Sequence, residues 1–145
     1  MIKYTADELI KDTKNLAKKI KEFAPDVILP IARGGLTFAH LLSEELEIRD
    51  VRCINSIGYH DKDMLDDITV FNIPKIENKK VLIVDDIADS GKTLQKVVRL
   101  LKEKNPTCSF KTVTIFYKED SVFQPDFKVR QTDEWVEFFW NKSKL

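Results

Sequence analysis

Apolar residues in this chain recur at two spacings, and their alternation predicts an α/β protein. Leu9, Leu16, Ile20 and Phe23 share one face at roughly helical spacing, and Thr5 with Glu8 forms a capping box. An amphipathic helix is therefore predicted from about Ala6 to Phe23, ended by Pro25. Val27 to Ile31 then reads as a strand, Arg33-Gly34-Gly35 as a turn, and Leu36 to Leu46 as a helix with Phe38, Leu41 and Leu42 available to the core. Val51 to Ile57 is the next strand. The order repeats with a strand from Val81 and a helix running to Lys104, before Pro106. Lys111 to Tyr117 alternates as a further strand, and Glu134 to Trp140 is an aromatic closing segment. Strand, turn and helix in succession predict a mainly parallel sheet with helices on its faces.

Between Gly58 and Lys80 the pattern changes. Asp61, Lys62, Asp63, Asp66 and Asp67 crowd a stretch with few apolar residues before Ile68, so about Tyr59 to Asp67 is read as a mobile loop. A loop this long in a compact domain is usually functional or disordered. The 145 residues are expected to form one domain, burying about two thirds of the unfolded surface. Lys plus Arg and Asp plus Glu balance at 24 each, with no basic block, which argues against nucleic-acid or membrane partners. No apolar run approaches the roughly 18 residues of a spanning helix, so a soluble, cytoplasmic protein is expected. Cys53 and Cys108 lack metal-ligand spacing and read as reduced core or near-core thiols; His40 and His60 give no zinc pattern, and His40 is expected on a helix in an ordinary packing role.

The chemistry concentrates in Val81 to Leu94, VLIVDDIADSGKTL. A short apolar strand, buried on both faces, ends in Asp85 and Asp86, followed by the small-residue loop Ala88-Asp89-Ser90-Gly91-Lys92-Thr93 and a helix start. Acceptors suited to hydroxyl groups stand at one end of the loop. At the other, helix-terminal N–H groups would point at a phosphate. SGKT looks like the tail of a P-loop, but that motif needs glycine five residues before Gly91, and Asp86, which would repel phosphate, stands there. A plainer alternative is a βα turn with aspartate as N-cap and Lys92 on a solvated helix face. Three acids and Ser-Gly-Lys-Thr within nine residues argue against it.

The stretch resembles the phosphoribosyl-pyrophosphate-binding signature of the type I phosphoribosyltransferases: four apolar residues, two acids, two apolar residues and D-[ST]-G-x-T. Ile28-Leu29-Pro30-Ile31-Ala32-Arg33-Gly34-Gly35 resembles the pyrophosphate loop of that family, and Asp133-Glu134-Trp135-Val136 its purine-binding segment. The motifs are most similar to those of bacterial xanthine-guanine and hypoxanthine members. The resemblance implies an α/β fold of that type: a central mainly parallel sheet flanked by helices, with a small hood and a flexible loop over the substrate. It implies that Asp89, Ser90, Gly91, Lys92 and Thr93 cradle the monophosphate, and that Asp85 and Asp86 accept from the ribose hydroxyls, with Asp86 the acid that reaches Mg2+. Arg33 and Gly34 would face the pyrophosphate, with a cis peptide at Ala32–Arg33. Asp89 would be the catalytic proton acceptor or relay, Lys118 the donor to the purine 6-oxo group, Trp135 the stacking ring and Val136 the backbone reader. Bland alternatives stand beside these roles: a helix cap for Asp89, a simple Gly-Gly turn at Arg33, a surface lysine at 118 and a core tryptophan at 135.

The chain departs from the family where Gly58-Tyr59 replaces Ser-Tyr, and where a hood arginine would align near Leu65, leaving that contact missing or passed to Lys62. The implied function is transfer of phosphoribosyl to xanthine, guanine or hypoxanthine by a homo-oligomer, dimer or tetramer. The rivals are a regulatory protein that binds phosphoribosyl pyrophosphate without turnover and a transferase for another base. Sequence does not rank the three 6-oxopurines.

Overall fold

The computed structural model describes residues 1–58 and 68–142. Its centre is a five-stranded sheet in the order β4-β3-β2-β5-β7, formed by β2 (Val27–Ala32), β3 (Ile54–Gly58), β4 (Ile68–Phe71), β5 (Lys80–Val84) and β7 (Ser109–Val113). All neighbours are parallel except β3 and β4. Helices α1 (Ala6–Ile20), α2 (Leu36–Leu46) and α3 (Lys92–Lys104) cover it. One core, with Leu9, Leu16, Phe38 and Leu42, packs α1 and α2 on one face; a second, with Leu94, Val97 and Leu101, packs α3 on the other. Burial of both faces explains why β2 and β5 read as continuous apolar runs.

Pro30 lies inside β2, a central strand. The ladder from β2 to β3 begins only at Ile31, and below it β2 meets the preceding segment through the isolated pair Ile28 and Val51. The strand expected from Val51 accordingly starts at Ile54. A proline can neither donate to a ladder nor be replaced in that role by its neighbours, so the interruption accommodates it.

The capping box at Thr5 and Glu8 is present, with Glu8 N donating to Thr5 Oγ1 at 3.2 Å and Thr5 N to Glu8 Oε1 at 3.2 Å. The helix stops at Ile20, one turn before Phe23, and a turn completes the segment. The strand expected over Lys111 to Tyr117 is two strands in two sheets. After β7 the chain bends at Thr114–Ile115, where the Asp86 carbonyl accepts from both Ile115 N and Phe116 N at 3.1 Å. It continues as β8 (Phe116–Tyr117), between β6 (Ile87–Ala88) and β9 (Arg130–Gln131) in a small parallel sheet.

The periodicity did not anticipate β4, β6, β9 or β1 (Ile2–Tyr4), the last of which pairs in parallel with β10 (Val136–Phe138). Cys53 is exposed and Cys108 half-buried, so Cys53 is no core thiol. His40 is exposed on α2 rather than packed. The mobile loop expected over Tyr59 to Asp67, with Lys62 and Leu65, lies outside the described residues.

Candidate functional site

Strands β2 and β5 are parallel neighbours, with Pro30 opposite Val84, so the residues leaving their carboxyl ends share one crevice. Ala32–Arg33 is a cis peptide. The chain then turns tightly: Gly35 N donates to the Ile31 carbonyl at 2.9 Å and Leu36 N to that of Arg33 at 3.0 Å. A methyl group on Gly35 would lie 2.3 Å from the Val84 carbonyl oxygen, and one on Gly34 would lie 2.7 Å from Asp86 Oδ2. Backbone thus passes close to the end of β5 and to the Asp86 carboxylate, and at Gly35 there is no room for a side chain.

Asp85 and Asp86 begin where β5 ends. Asp85 Oδ1 accepts from Asp86 N at 2.9 Å and Asp86 Oδ1 from Ile87 N at 2.7 Å, while Asp86 Oδ2 faces Gly34. Burial pushes both carboxyls above the ordinary carboxylate range, and for Asp85 the charge of Asp86 adds to it. Hydrogen bonds to the ionised form of Asp86 oppose part of that rise.

The small-residue loop follows. A hollow of about 220 Å³ is lined by Asp85, Asp86, Asp89, Ser90, Gly91 and Thr93. Gly91 has φ +85° and is the N-cap of α3, with no side chain capping the helix. Lys92 N donates to Ser90 Oγ at 3.3 Å. The first-turn N–H groups of a helix have no partner within it, so the mouth of the hollow is rich in donors. Asp89 is not the helix cap that one alternative made it. Its carboxylate pairs instead with Lys118 Nζ at 2.7 Å.

Lys118 follows β8, and its backbone N donates to the Ala88 carbonyl at 3.0 Å, so pairing of β6 with β8 delivers the lysine beside the loop. The bond to Asp89 raises the Lys118 ammonium above its ordinary range, with the charges of Asp89, Asp120 and Asp133 adding to this. Lys118 is more than a lone surface lysine.

A brace behind the loop escaped sequence reasoning. Val122 N donates to the Ser90 carbonyl at 2.9 Å, and a methyl on Gly91 would meet Ser121 Oγ at 2.3 Å and Phe123 N at 2.6 Å. These residues lie thirty positions downstream in an irregular segment, and only the glycine hinted that something must approach closely.

The remaining expected residues sit nearby in the topology without touching the hollow. The Arg33 side chain is exposed. Trp135 is 69% exposed, which removes the core-tryptophan alternative; its carbonyl accepts from Ile2 N at 2.9 Å. Val136 is buried in β10. Thr132 N donates to the Tyr117 carbonyl at 2.9 Å, which ties this segment to the residue before Lys118. A larger hollow of about 470 Å³ is lined by Leu9, Ile10, Leu36, Leu41 and Phe139 together with Thr37 and His40, and its surface is mostly carbon.

Residues 3–143 match the family model described as the phosphoribosyl transferase domain. The xanthine-guanine phosphoribosyltransferase of Idiomarina loihiensis is 31% identical over 140 residues, covering 93% of this chain and 83% of the relative. Among solved structures, the xanthine-guanine-hypoxanthine phosphoribosyltransferase of Helicobacter pylori is 31% identical with a TM-score of 0.85, covering 96% of this chain and 90% of the other. A purine phosphoribosyltransferase from Pyrococcus horikoshii is 30% identical with a TM-score of 0.86, covering 99% and 96%. The acid pair, the phosphate-type loop and the sheet that presents them are therefore those of a chain that belongs to the phosphoribosyl transferase domain family.

Proposed function

We propose that this protein is a purine phosphoribosyltransferase acting as one domain. It would transfer the phosphoribosyl group of phosphoribosyl pyrophosphate to xanthine, guanine or hypoxanthine, giving a nucleoside monophosphate and pyrophosphate in purine salvage. The observation that carries the reading is the Asp89–Lys118 pair at the edge of the acid-lined hollow, because it sets a proton acceptor and a fixed donor side by side. The curated relative and the solved structures named above, each carrying a purine transferase name, support the same reading.

In this reading the loop from Asp89 through Ser90, Gly91 and Lys92 to Thr93 receives the 5′-phosphate on helix-terminal N–H groups and hydroxyls. Asp85 and Asp86 accept from the ribose hydroxyls. Arg33 and the Gly34 backbone face the pyrophosphate. An entering 6-oxopurine would separate the Asp89–Lys118 pair, taking the Lys118 ammonium on its 6-oxygen and giving an N–H proton to Asp89. The bond from the anomeric carbon to pyrophosphate oxygen breaks while the bond to the base nitrogen forms. Trp135 would stack on the base, and the Val136 backbone would read its other edge.

The donor set fits Mg2+. Two adjacent carboxylates, Asp85 buried and Asp86 half-buried, are hard oxygen ligands whose ionised forms a divalent cation would favour. Among the described residues no group of three or more His, Cys, Asp or Glu converges to form an all-protein cage. Asp86, with Asp85 beside it, would hold the ion; when bound, it would neutralise charge on the pyrophosphate leaving group.

No helix among the described residues is long and apolar enough to cross a membrane. A cytoplasmic location and a homo-oligomer, dimer or tetramer, belong to the same proposal. Exposed Ile10, Leu36 and Phe139 support self-association, which light scattering would measure. The test of the function is pyrophosphate release on mixing the protein with phosphoribosyl pyrophosphate, Mg2+ and each 6-oxopurine. Release with at least one is expected. Saturable binding of phosphoribosyl pyrophosphate with no release for any base would overturn the proposal in favour of a regulatory protein.

A further inference from the structure

We propose that Tyr4, Asp12 and Arg130 are positioning residues for base recognition, acting through one buried carboxylate that anchors both ends of the segment carrying Thr132 to Val136. The inference rests on the purine-transferase reading, and concerns residues that touch neither the hollow nor Lys118.

Asp12 lies on α1 and is 3% exposed. Such a charge is costly to bury unless it is fully partnered. Its partners come from two directions. Arg130 donates from Nε to Asp12 Oδ2 at 2.7 Å and from Nη2 to Oδ1 at 3.3 Å, a two-pronged contact. Tyr4 Oη donates to the same Oδ2 at 2.5 Å. The Arg130 guanidinium also lies 5.4 Å from the centre of the Tyr4 ring and 3.4 Å from Glu8 Oε2.

Both partners border the base-facing segment. Arg130 opens β9, pairs with Phe116 and stands two residues before Thr132, whose backbone bonds to Tyr117. Thr132 then closes a small turn, with Glu134 N donating to its Oγ1 at 3.0 Å. Past Trp135 the chain enters β10, in register with β1 so that Tyr4 lies opposite Phe138. Phe139 N donates to the Tyr4 carbonyl at 3.2 Å. The near end of the segment is therefore fixed to Asp12 by Arg130, and the far end by Tyr4 and its strand. A buried ion pair contributes little net stability compared with apolar packing, and its best attested use is to specify geometry. Here that geometry is the placement of Trp135 and Val136 relative to Lys118.

Steady-state kinetics with guanine and phosphoribosyl pyrophosphate varied separately test this. Arg130→Met should raise KM for guanine about tenfold, leaving KM for phosphoribosyl pyrophosphate within about twofold, and Arg130→Lys should recover part of the loss. Tyr4→Phe keeps the ring and its packing and removes only the hydroxyl, so it decides the matter if Arg130→Met does not fold; a rise of about threefold in KM for guanine alone is expected. Equal changes for both substrates, or none in a folded variant, would overturn the proposal. If the unaltered protein turns over no 6-oxopurine, hydrogen exchange decides separately from that failure. Amides from Thr132 to Val136 should lose protection in Tyr4→Phe while those from Asp89 to Thr93 keep theirs, and unchanged protection at Thr132 to Val136 would overturn the network.

Discussion

Asp89 and Lys118 pair at 2.7 Å, and on the proposed reading an entering base takes the place of each as the other's partner. Asp89→Asn keeps the size and removes the proton acceptor. Turnover is expected to fall about 100-fold or more with phosphoribosyl pyrophosphate binding largely kept, and a loss of only two- to threefold in single-turnover measurements would deny Asp89 the proton-transfer role. Lys118→Met should lower turnover of guanine, xanthine and hypoxanthine together, because the donor common to all three is gone. Of these two residues the sequence disclosed much. Asp89 was legible because the loop motif is local, whereas its engagement with Lys118 depends on the pairing of β6 with β8, two strands too short to leave a periodic signal. The cap proposed as an alternative for Asp89 failed for a local reason: Gly91, in a left-handed conformation, starts the helix two residues later.

The strand β5, the loop after it and α3 form the element on which the site depends, and its close contacts and charge have measurable consequences. Burial raises Asp85 and Asp86 above their unfolded range, so folding favours their protonated forms. That contribution is fully present below the ordinary carboxylate range and is lost as pH rises through the raised range. Asp85→Asn retains an acceptor for Asp86 N and removes the ionisable group whose charged form burial disfavours. It should raise the thermal midpoint of the ligand-free protein at neutral pH by roughly 3 °C, about 1 kcal/mol, while weakening binding of phosphoribosyl pyrophosphate; scanning calorimetry at neutral and acidic pH would show the gain shrinking as pH falls. A lower midpoint at neutral pH would contradict the charge assignment. Gly91→Ala combines a φ of +85° with contacts as short as 2.3 Å, so a stability loss of about 1–3 kcal/mol in denaturant titration is expected, together with weaker phosphate binding. The strand and helix here were legible from hydrophobic periodicity, but the brace from Ser121 to Phe123 was not, since nothing in an irregular segment announces its distant partner.

For the molecule as a whole, the mainly parallel sheet and its three helices followed from repeated strand–turn–helix units, because burial on both faces makes such strands plain in sequence. What escaped is the periphery: β1, β4, β6, β9 and the division of β7 from β8. These depend on long-range pairing, as when Ile2 meets Val136 across most of the chain. The periphery also carries the segment from Thr132 to Val136, so on the proposed reading selectivity depends on the assembled fold as well as on one motif. The most direct test is the ratio of kcat/KM for guanine to that for adenine in the unaltered protein, with phosphoribosyl pyrophosphate and Mg2+ saturating. Lys118 can donate to a 6-oxo group but meets another donor in the 6-amino group of adenine, so the ratio is expected to exceed about a thousandfold. Comparable efficiency with adenine would mean that Lys118 does not read the base, and would contradict the 6-oxopurine assignment.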